Sequence, residues 1–264
     1  MAEKRPRLEG KVAMVTGAGS SGPGVGNGKA AAVLFAREGA KVLLVDRVAS
    51  RAEETQKLIL DEGGESSVLE ADVLREEQAE KAVAAAVERY GKLDVLHNNI
   101  GIGLRGSVLD VTEEDWDLVM GVNLKTMVFC SKYAVKNMMD TGGGSIINIS
   151  SIAGMRGHGL VAYSASKGGV IALTKTMAVQ HAKHNIRVNC IAPGPVYTPM
   201  VAADMTEERR ELRKMSVPLM VEGSAWDVGW AALYLASDES RWVTGVILPV
   251  DGGLSATSRQ AYRR

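Results

Sequence analysis

Short, unbroken apolar runs alternate with amphipathic stretches along most of this 264-residue chain. Val12–Thr16, Lys41–Asp46, Ser67–Asp72, Leu93–His97, Ser145–Ser150, Ile186–Ala192 and Val246–Val250 read as strands. They are short and mostly apolar, the pattern of parallel strands covered on both sides. Between them, helical periodicity predicts helices over Lys29–Glu38, Arg51–Glu62, Glu76–Tyr90, Ala162–Lys183 and Ala225–Ala236, with one or two long helices over Glu113–Thr141. The Met-rich stretch after the sixth strand is predicted to be irregular. Strands alternating with helices, joined by right-handed crossovers, give an α/β fold: a doubly wound, Rossmann-like parallel sheet with helices on both faces. No Pro/Ser-rich linker, composition shift or repeat divides the chain. A single domain over residues 1–264 is expected, with 254–264 a polar tail.

Composition narrows the function classes. Thirty-one basic residues balance thirty-one acidic ones, so no overall field recruits nucleic acid or an anionic membrane. No apolar run is long enough to suggest a membrane span or signal peptide. Cys130 and Cys190 lie in apolar surroundings without CxxC or His partners, and read as buried thiols of a cytoplasmic protein. No metal site is implied. The 29 glycines fall in clusters, as where backbone turns sharply or approaches a ligand.

The first cluster, Thr16-Gly-Ala-Gly-Ser-Ser-Gly-Pro-Gly-Val-Gly-Asn-Gly28, lies between the first strand and the first helix. There, backbone amides and a helix N-terminus suit a pyrophosphate. Gly17, Ser21, Gly26, Asn27 and Gly28 are the candidate contacts. Asp46, ending the second strand, is placed to accept hydrogen bonds from ribose hydroxyls, which favours NAD over NADP, although neighbouring Arg47 could accommodate the extra phosphate. Farther on, Tyr163 and Lys167 are four residues apart on a predicted helix and share one face. An ammonium there would favour the phenolate, bringing a pKa of about 10 down towards that of a working base. Taken alone, such a pair is also compatible with a buried tyrosine and a solvated lysine.

These residues, together with Asn98-Asn-Ile-Gly101, Asn123, Ser151, Tyr163-Ser-Ala-Ser-Lys167, Pro193-Gly-Pro-Val-Tyr-Thr198 and Val250-Asp-Gly-Gly253, resemble the short-chain dehydrogenase/reductase family of the Tyr-x-x-x-Lys type. The resemblance runs from about residue 8 to 253, with every motif in the family's order. It implies a catalytic tetrad of Asn123, Ser151, Tyr163 and Lys167. It also implies adenine contacts at Asp72 and Val73, a cofactor cleft lined by Asn99 and Gly101, and nicotinamide-side contacts in Pro193–Thr198, chiefly Val196 and Thr198. Ser150 is an alternative to Ser151, and Asn123 could instead be a helix-interior amide satisfying backbone. The implied activity is NAD-dependent interconversion of a secondary alcohol and a ketone. An enoyl reductase of the same superfamily and a non-catalytic dinucleotide-binding regulator are the alternatives.

Two departures from the family pattern stand out. With Gly26 and Gly28 as the last glycine pair, the loop carries about five extra residues, 21–25, and a polar Asn27 where an apolar residue is usual. The competing register uses Gly24-Val25-Gly26. Ile100 replaces the usual alanine. Arg105, Arg156 and His158 sit on loops near the expected cleft, and Met200, Met205, Met215 and Met220 suit an adaptable apolar pocket. Apolar residues on the two long helices (Met127, Val128, Ala134 and Met138; Val170, Leu173, Met177 and Ala178) outnumber what one buried face requires, so a homotetramer is expected.

Overall fold

The computed structural model describes residues 6–202 and 205–257. Seven parallel strands form one sheet: β1 (Val12–Thr16), β2 (Lys41–Asp46), β3 (Glu65–Glu70), β4 (Val95–Asn98), β5 (Gly144–Ile149), β6 (Ile186–Pro193) and β7 (Ile247–Val250). Their order across the sheet is β3-β2-β1-β4-β5-β6-β7. The chain works outward from β1 to β3, then returns to begin again at β4 on the other side of β1. The reversal lies between β1 and β4, and open α/β sheets bind ligands at such a point, in the crevice outside the strands' carboxyl ends.

Alternate residues of each strand feed two separate cores. Ala13 and Val15 of β1, with Val42 and Leu44 of β2, pack against α1 (Asn27–Arg37) and α9 (Ala225–Ala236). Met14, Leu43 and Val45 point the other way, towards α3 (Glu76–Tyr90), α5 (Thr126–Asp140) and α6 (Val161–His181). This division accounts for the lack of a polar face on β1 and β2, since both of their sides are dry. Each fully buried aliphatic side chain contributes about 1.5–3 kcal/mol. A further helix, α2 (Ala49–Asp61), follows β2 and packs beside β3.

The structure moves some predicted boundaries. α1 starts two residues early because Gly26, in extended conformation, serves as its N-cap. β3 ends at Glu70 instead of Asp72: the Asp72 carboxylate accepts a hydrogen bond from the Leu74 amide at 3.2 Å and turns the chain. The Glu113–Thr141 stretch is one helical run, α4 (Glu113–Met120) joined to α5 through a wide π turn at Gly121–Lys125. The Met-rich segment is not wholly irregular, since it holds α7 (Pro199–Ala202) and α8 (Glu207–Met215).

The long helices spend most of the apolar residues expected at a subunit interface inside their own chain. Met127, Ala134, Met138, Val170, Met177 and Ala178 are buried within their own chain, and of the group only Val128 is classed as exposed. The outward apolar residues are others, notably Leu109, Val179, Trp230 and Trp242.

Candidate active site

The loop after β1 is built around close backbone contacts. The Gly17 amide donates to the Val45 carbonyl at 2.8 Å, and Gly17 has φ +63°. A Cβ on Gly28 would lie 2.2 Å from the Gly17 carbonyl oxygen, so only glycine lets the first turn of α1 approach the loop this closely. The helix therefore opens on the Gly26–Gly28 pair, and residues 21–25 form the added length. Ser20 Oγ accepts a hydrogen bond from the Gly26 amide at 3.0 Å and closes that excursion. From the far side of the crevice Asn99 Nδ2 donates to the Gly17 carbonyl at 3.0 Å, and the Asn99 amide donates to Thr16 Oγ1 at 3.2 Å. Ile100 lies against Gly17, where a Cβ would meet its Cγ1 at 3.1 Å.

Asp46 is 8% exposed, and both its oxygens are engaged. Oδ2 accepts from the Gly19 amide and Oδ1 from the Val48 amide, each at 3.1 Å. Two amide donors hold an acceptor-only group at the mouth of the crevice, with lone pairs to spare for further donors. Arg47 is exposed beside it, as is Asp72, whereas Val73 is buried. On the opposite side, the Gly194 amide donates to the Val250 carbonyl at 2.9 Å, which sets the chain from Pro193 to Thr198 along the crevice. A glycine-lined helix start, a fixed carboxylate and the strand-order reversal together fit a dinucleotide.

Ser151, Tyr163 and Lys167 meet beyond the ends of β5 and β6. Ser150 and Ser151 are separated by what each hydroxyl does. Ser150 Oγ donates to the Lys167 carbonyl at 2.7 Å and is buried, so it fastens α6 to β5. Ser151 Oγ accepts from the Ala153 amide at 3.1 Å and also acts on Tyr163, opposing the rise in its pKa. After Ser151, a Cβ on Gly154 would strike the Lys167 backbone at 2.5 Å, so this turn rests directly on α6.

Lys167 is buried, with Nζ donating to the Ile149 carbonyl at 2.8 Å and lying 5.7 Å from the Tyr163 ring centre. Burial draws its pKa down to about 8. Tyr163 itself is pushed up by burial, the larger influence, with the Ser151 hydrogen bond working against it. The expected depression of the phenol's pKa is therefore not produced by the chain's own residues.

Asn123 sits in the π turn, fully buried. Its Oδ1 accepts from the Ile102 amide at 2.8 Å, and its Nδ2 donates to the Ile102 carbonyl and to Ser166 Oγ, both at 2.9 Å. It thus braces the loop that carries Gly101, where a Cβ would come within 3.2 Å of Lys167 Nζ. Two contributors escaped the sequence reading. Ser166, one turn after Tyr163, donates to the Tyr163 carbonyl at 2.7 Å while receiving Asn123. A buried ladder joins Asn98, Asn148 and Thr174 across β4, β5 and α6. The asparagines at strand ends were a visible signal for it, because a buried amide needs partners.

Of the three loop residues Arg105, Arg156 and His158, the last two line a cavity of about 530 Å³ with Ser107, Val108 and Ser164. His158 also tilts against the Tyr163 ring, 6.2 Å between centres. Among the described residues, no cluster of His, Cys, Asp or Glu could hold a metal ion, and no helix is long and apolar enough to cross a membrane.

Comparison with known proteins agrees with this geometry. A family model described as enoyl-(acyl carrier protein) reductase matches residues 24–255. The 3-oxoacyl-(acyl-carrier-protein) reductase FabG of Thermotoga maritima is 41% identical over 249 residues, covering 94% of this chain and 99% of that protein. A crystal structure from Burkholderia xenovorans, described provisionally as a short-chain dehydrogenase/reductase, superposes with a TM-score of 0.91 at 42% identity, over 96% and 99% of the two chains. The crystal structure of levodione reductase superposes with a TM-score of 0.89 at 34% identity, over 96% and 100%.

Proposed function

The chain belongs to the short-chain dehydrogenase/reductase family and is an NAD(P)-dependent oxidoreductase, and from this premise we propose that it interconverts a secondary alcohol and a ketone, with NAD as its cofactor. The observation that carries the reading is the convergence of Ser151, Tyr163 and Lys167 beside the crevice, with Ser150 already committed to α6.

In alcohol oxidation, Tyr163 takes the hydroxyl proton; in the reverse direction it returns that proton to the forming alkoxide. Ser151 holds the substrate oxygen and stabilises the charge that develops there. Lys167 orients the proton-transfer pair and reaches the nicotinamide ribose. Asn123 fixes the Gly101–Ile102 loop over Lys167 and carries a water that links the lysine to solvent. The bound nicotinamide supplies hydride exchange and, when oxidised, a positive charge that helps bring Tyr163 into range. Gly17, Ser21, Gly26, Asn27 and Gly28 hold the pyrophosphate; Asp46 holds the adenosine ribose, beside Arg47. Asp72 and Val73 flank the adenine, Asn99 and Gly101 line the cleft, and Pro193, Val196 and Thr198 meet the carboxamide. The substrate is small to medium and mostly apolar, against the lid residues Met200, Met215 and Met220. The protein works in the cytoplasm as a homotetramer.

The family model's description favours a second reading, reduction of a carbon–carbon double bond. The four-residue Tyr163–Lys167 step and the oxo substrate in the Thermotoga relative's name support the carbonyl reaction instead. A panel of alcohols, ketones and enoyl thioesters, followed through reduced-cofactor absorbance, separates the two. NAD-dependent turnover of an alcohol or ketone is expected, and turnover of the enoyl thioesters alone overturns the proposal. In the same assay NAD should outcompete NADP by roughly 1–3 kcal/mol, the range for a charge-assisted hydrogen bond, and Asp46→Ala should narrow that gap. NADP binding as tightly as NAD contradicts the role of Asp46.

A further inference from the structure

Helix α8 presents an unusual problem of attachment. It is self-sufficient as a helix: the Thr206 side chain accepts from the Arg209 amide at its start, Glu207 and Glu208 occupy its first turn, and Arg213 and Lys214 occupy its last. None of its residues is buried, however, and its apolar Leu212 and Met215 are exposed. Among the described residues, no hydrophobic anchor holds this helix to the body of the protein.

Polar contacts take its place. Arg210 forms a two-pronged pair with Glu222, at 2.6 and 2.5 Å. The same guanidinium lies 4.2 Å over the centre of the Tyr197 ring. One turn on, Arg213 donates to the Val196 carbonyl at 3.4 Å. The receiving groups are rigid. The Tyr197 amide donates to the Gly223 carbonyl at 2.8 Å, and Tyr197 and Ser224 form a parallel bridge. Ser224 and Asp227 then form a reciprocal capping box at the start of α9. Glu222 thus projects from a fixed point just ahead of a core helix. Every contact of α8 described above converges on Val196, Tyr197 and the strand-like segment paired with them.

We infer that Arg210 is a positioning residue: its clasp on Glu222 and Tyr197 ties α8 to the Val196–Thr198 segment, so that the outer wall of the substrate end and the nicotinamide-side contacts are held in place together. The coupling rests on the proposed function in assigning Val196 and Thr198 to the nicotinamide and the neighbouring Met-rich segment to the substrate. A planar guanidinium is required, because the same group must fork onto a carboxylate and stack on a ring.

Limited trypsin digestion of the full-length protein tests the clasp without any assay of activity. Glu222→Gln leaves every tryptic site in place, and cleavage at Arg209, Arg213 and Lys214 should accelerate roughly three- to tenfold. Arg210→Lys, which keeps the charge but loses fork and stack, should fall between the two. Melting temperature, read alongside, identifies a variant that has simply unfolded. NADH fluorescence titration should show weaker binding in Glu222→Gln by a similar factor, and the substrate KM should rise more than kcat falls. Equal cleavage rates in wild type and Glu222→Gln overturn the clasp. Faster cleavage with unchanged NADH affinity overturns the coupling. Because the digestion needs no substrate, the clasp is judged separately from the alcohol–ketone reading.

Discussion

At the scale of single residues, His97 is an unusual group in the protein. It is fully buried on β4, neither ring nitrogen has a partner, and its ring stands edge-on to Phe35. Burial lowers its pKa from 6.5 to about 3. A histidine depressed in this way is neutral in the folded protein and takes a proton only when unfolded. Its contribution to stability is therefore intact above about pH 6.5 and is lost as pH falls from there towards 3, by up to about 1.4 kcal/mol per unit. His97→Leu removes that linkage. Between pH 7 and pH 5, denaturant unfolding at fixed protein concentration should cost the wild type roughly 2 kcal/mol more than the variant. Equal losses would contradict this. Nothing in the sequence distinguished His97 from a solvated strand-end histidine, whereas Tyr163, Lys167, Ser151 and Asp46 stood out as candidates because the proposed chemistry constrains their type and spacing. Of the two serines, the sequence favoured Ser151, and the partners of each hydroxyl are consistent with that preference.

At the scale of elements, strands were read to within two residues because most carry short apolar runs, and those at the centre of the sheet are buried on both faces. Boundaries slipped where a side chain or cap, not hydrophobicity, ends the element, as at Gly26 and Asp72. The π turn at Gly121–Lys125 left no periodic trace, and α8 was missed because it buries nothing. The β1–α1 join makes its own prediction. Gly28→Ala places a methyl 2.2 Å from the Gly17 carbonyl and 2.5 Å from Asn99 Nδ2. It should destabilise by about 1–3 kcal/mol, the usual cost of overpacking, and weaken NADH binding in a fluorescence titration. Gly168→Ala on α6 meets its nearest atom at 3.7 Å and should instead gain about 0.5–1 kcal/mol of helix stability. A Gly28→Ala protein with wild-type melting and NADH affinity would show that the close approach is not required.

For the whole molecule, one parallel sheet with helices on both faces follows from the alternation of strand and helix. The surface was harder to read, since sequence periodicity does not say which apolar residues a chain covers for itself. Trp242, Leu109 and Val179 are 95%, 92% and 82% exposed, and lie apart in sequence. Closed two-fold packing would cover such patches in every subunit. Light scattering at micromolar concentration should give about four times the 28.1 kDa chain mass, and a value near 28 kDa would defeat the tetramer. The central claim, that Tyr163 exchanges the substrate proton in an NAD-dependent alcohol–ketone reaction, is tested most directly by Tyr163→Phe. Turnover of the best alcohol or ketone and affinity for NADH are measured on the same preparation. The variant should bind NADH as the wild type does while turning over at least about 10²-fold more slowly, the lower range for general acid–base catalysis. Near-normal turnover would contradict the account.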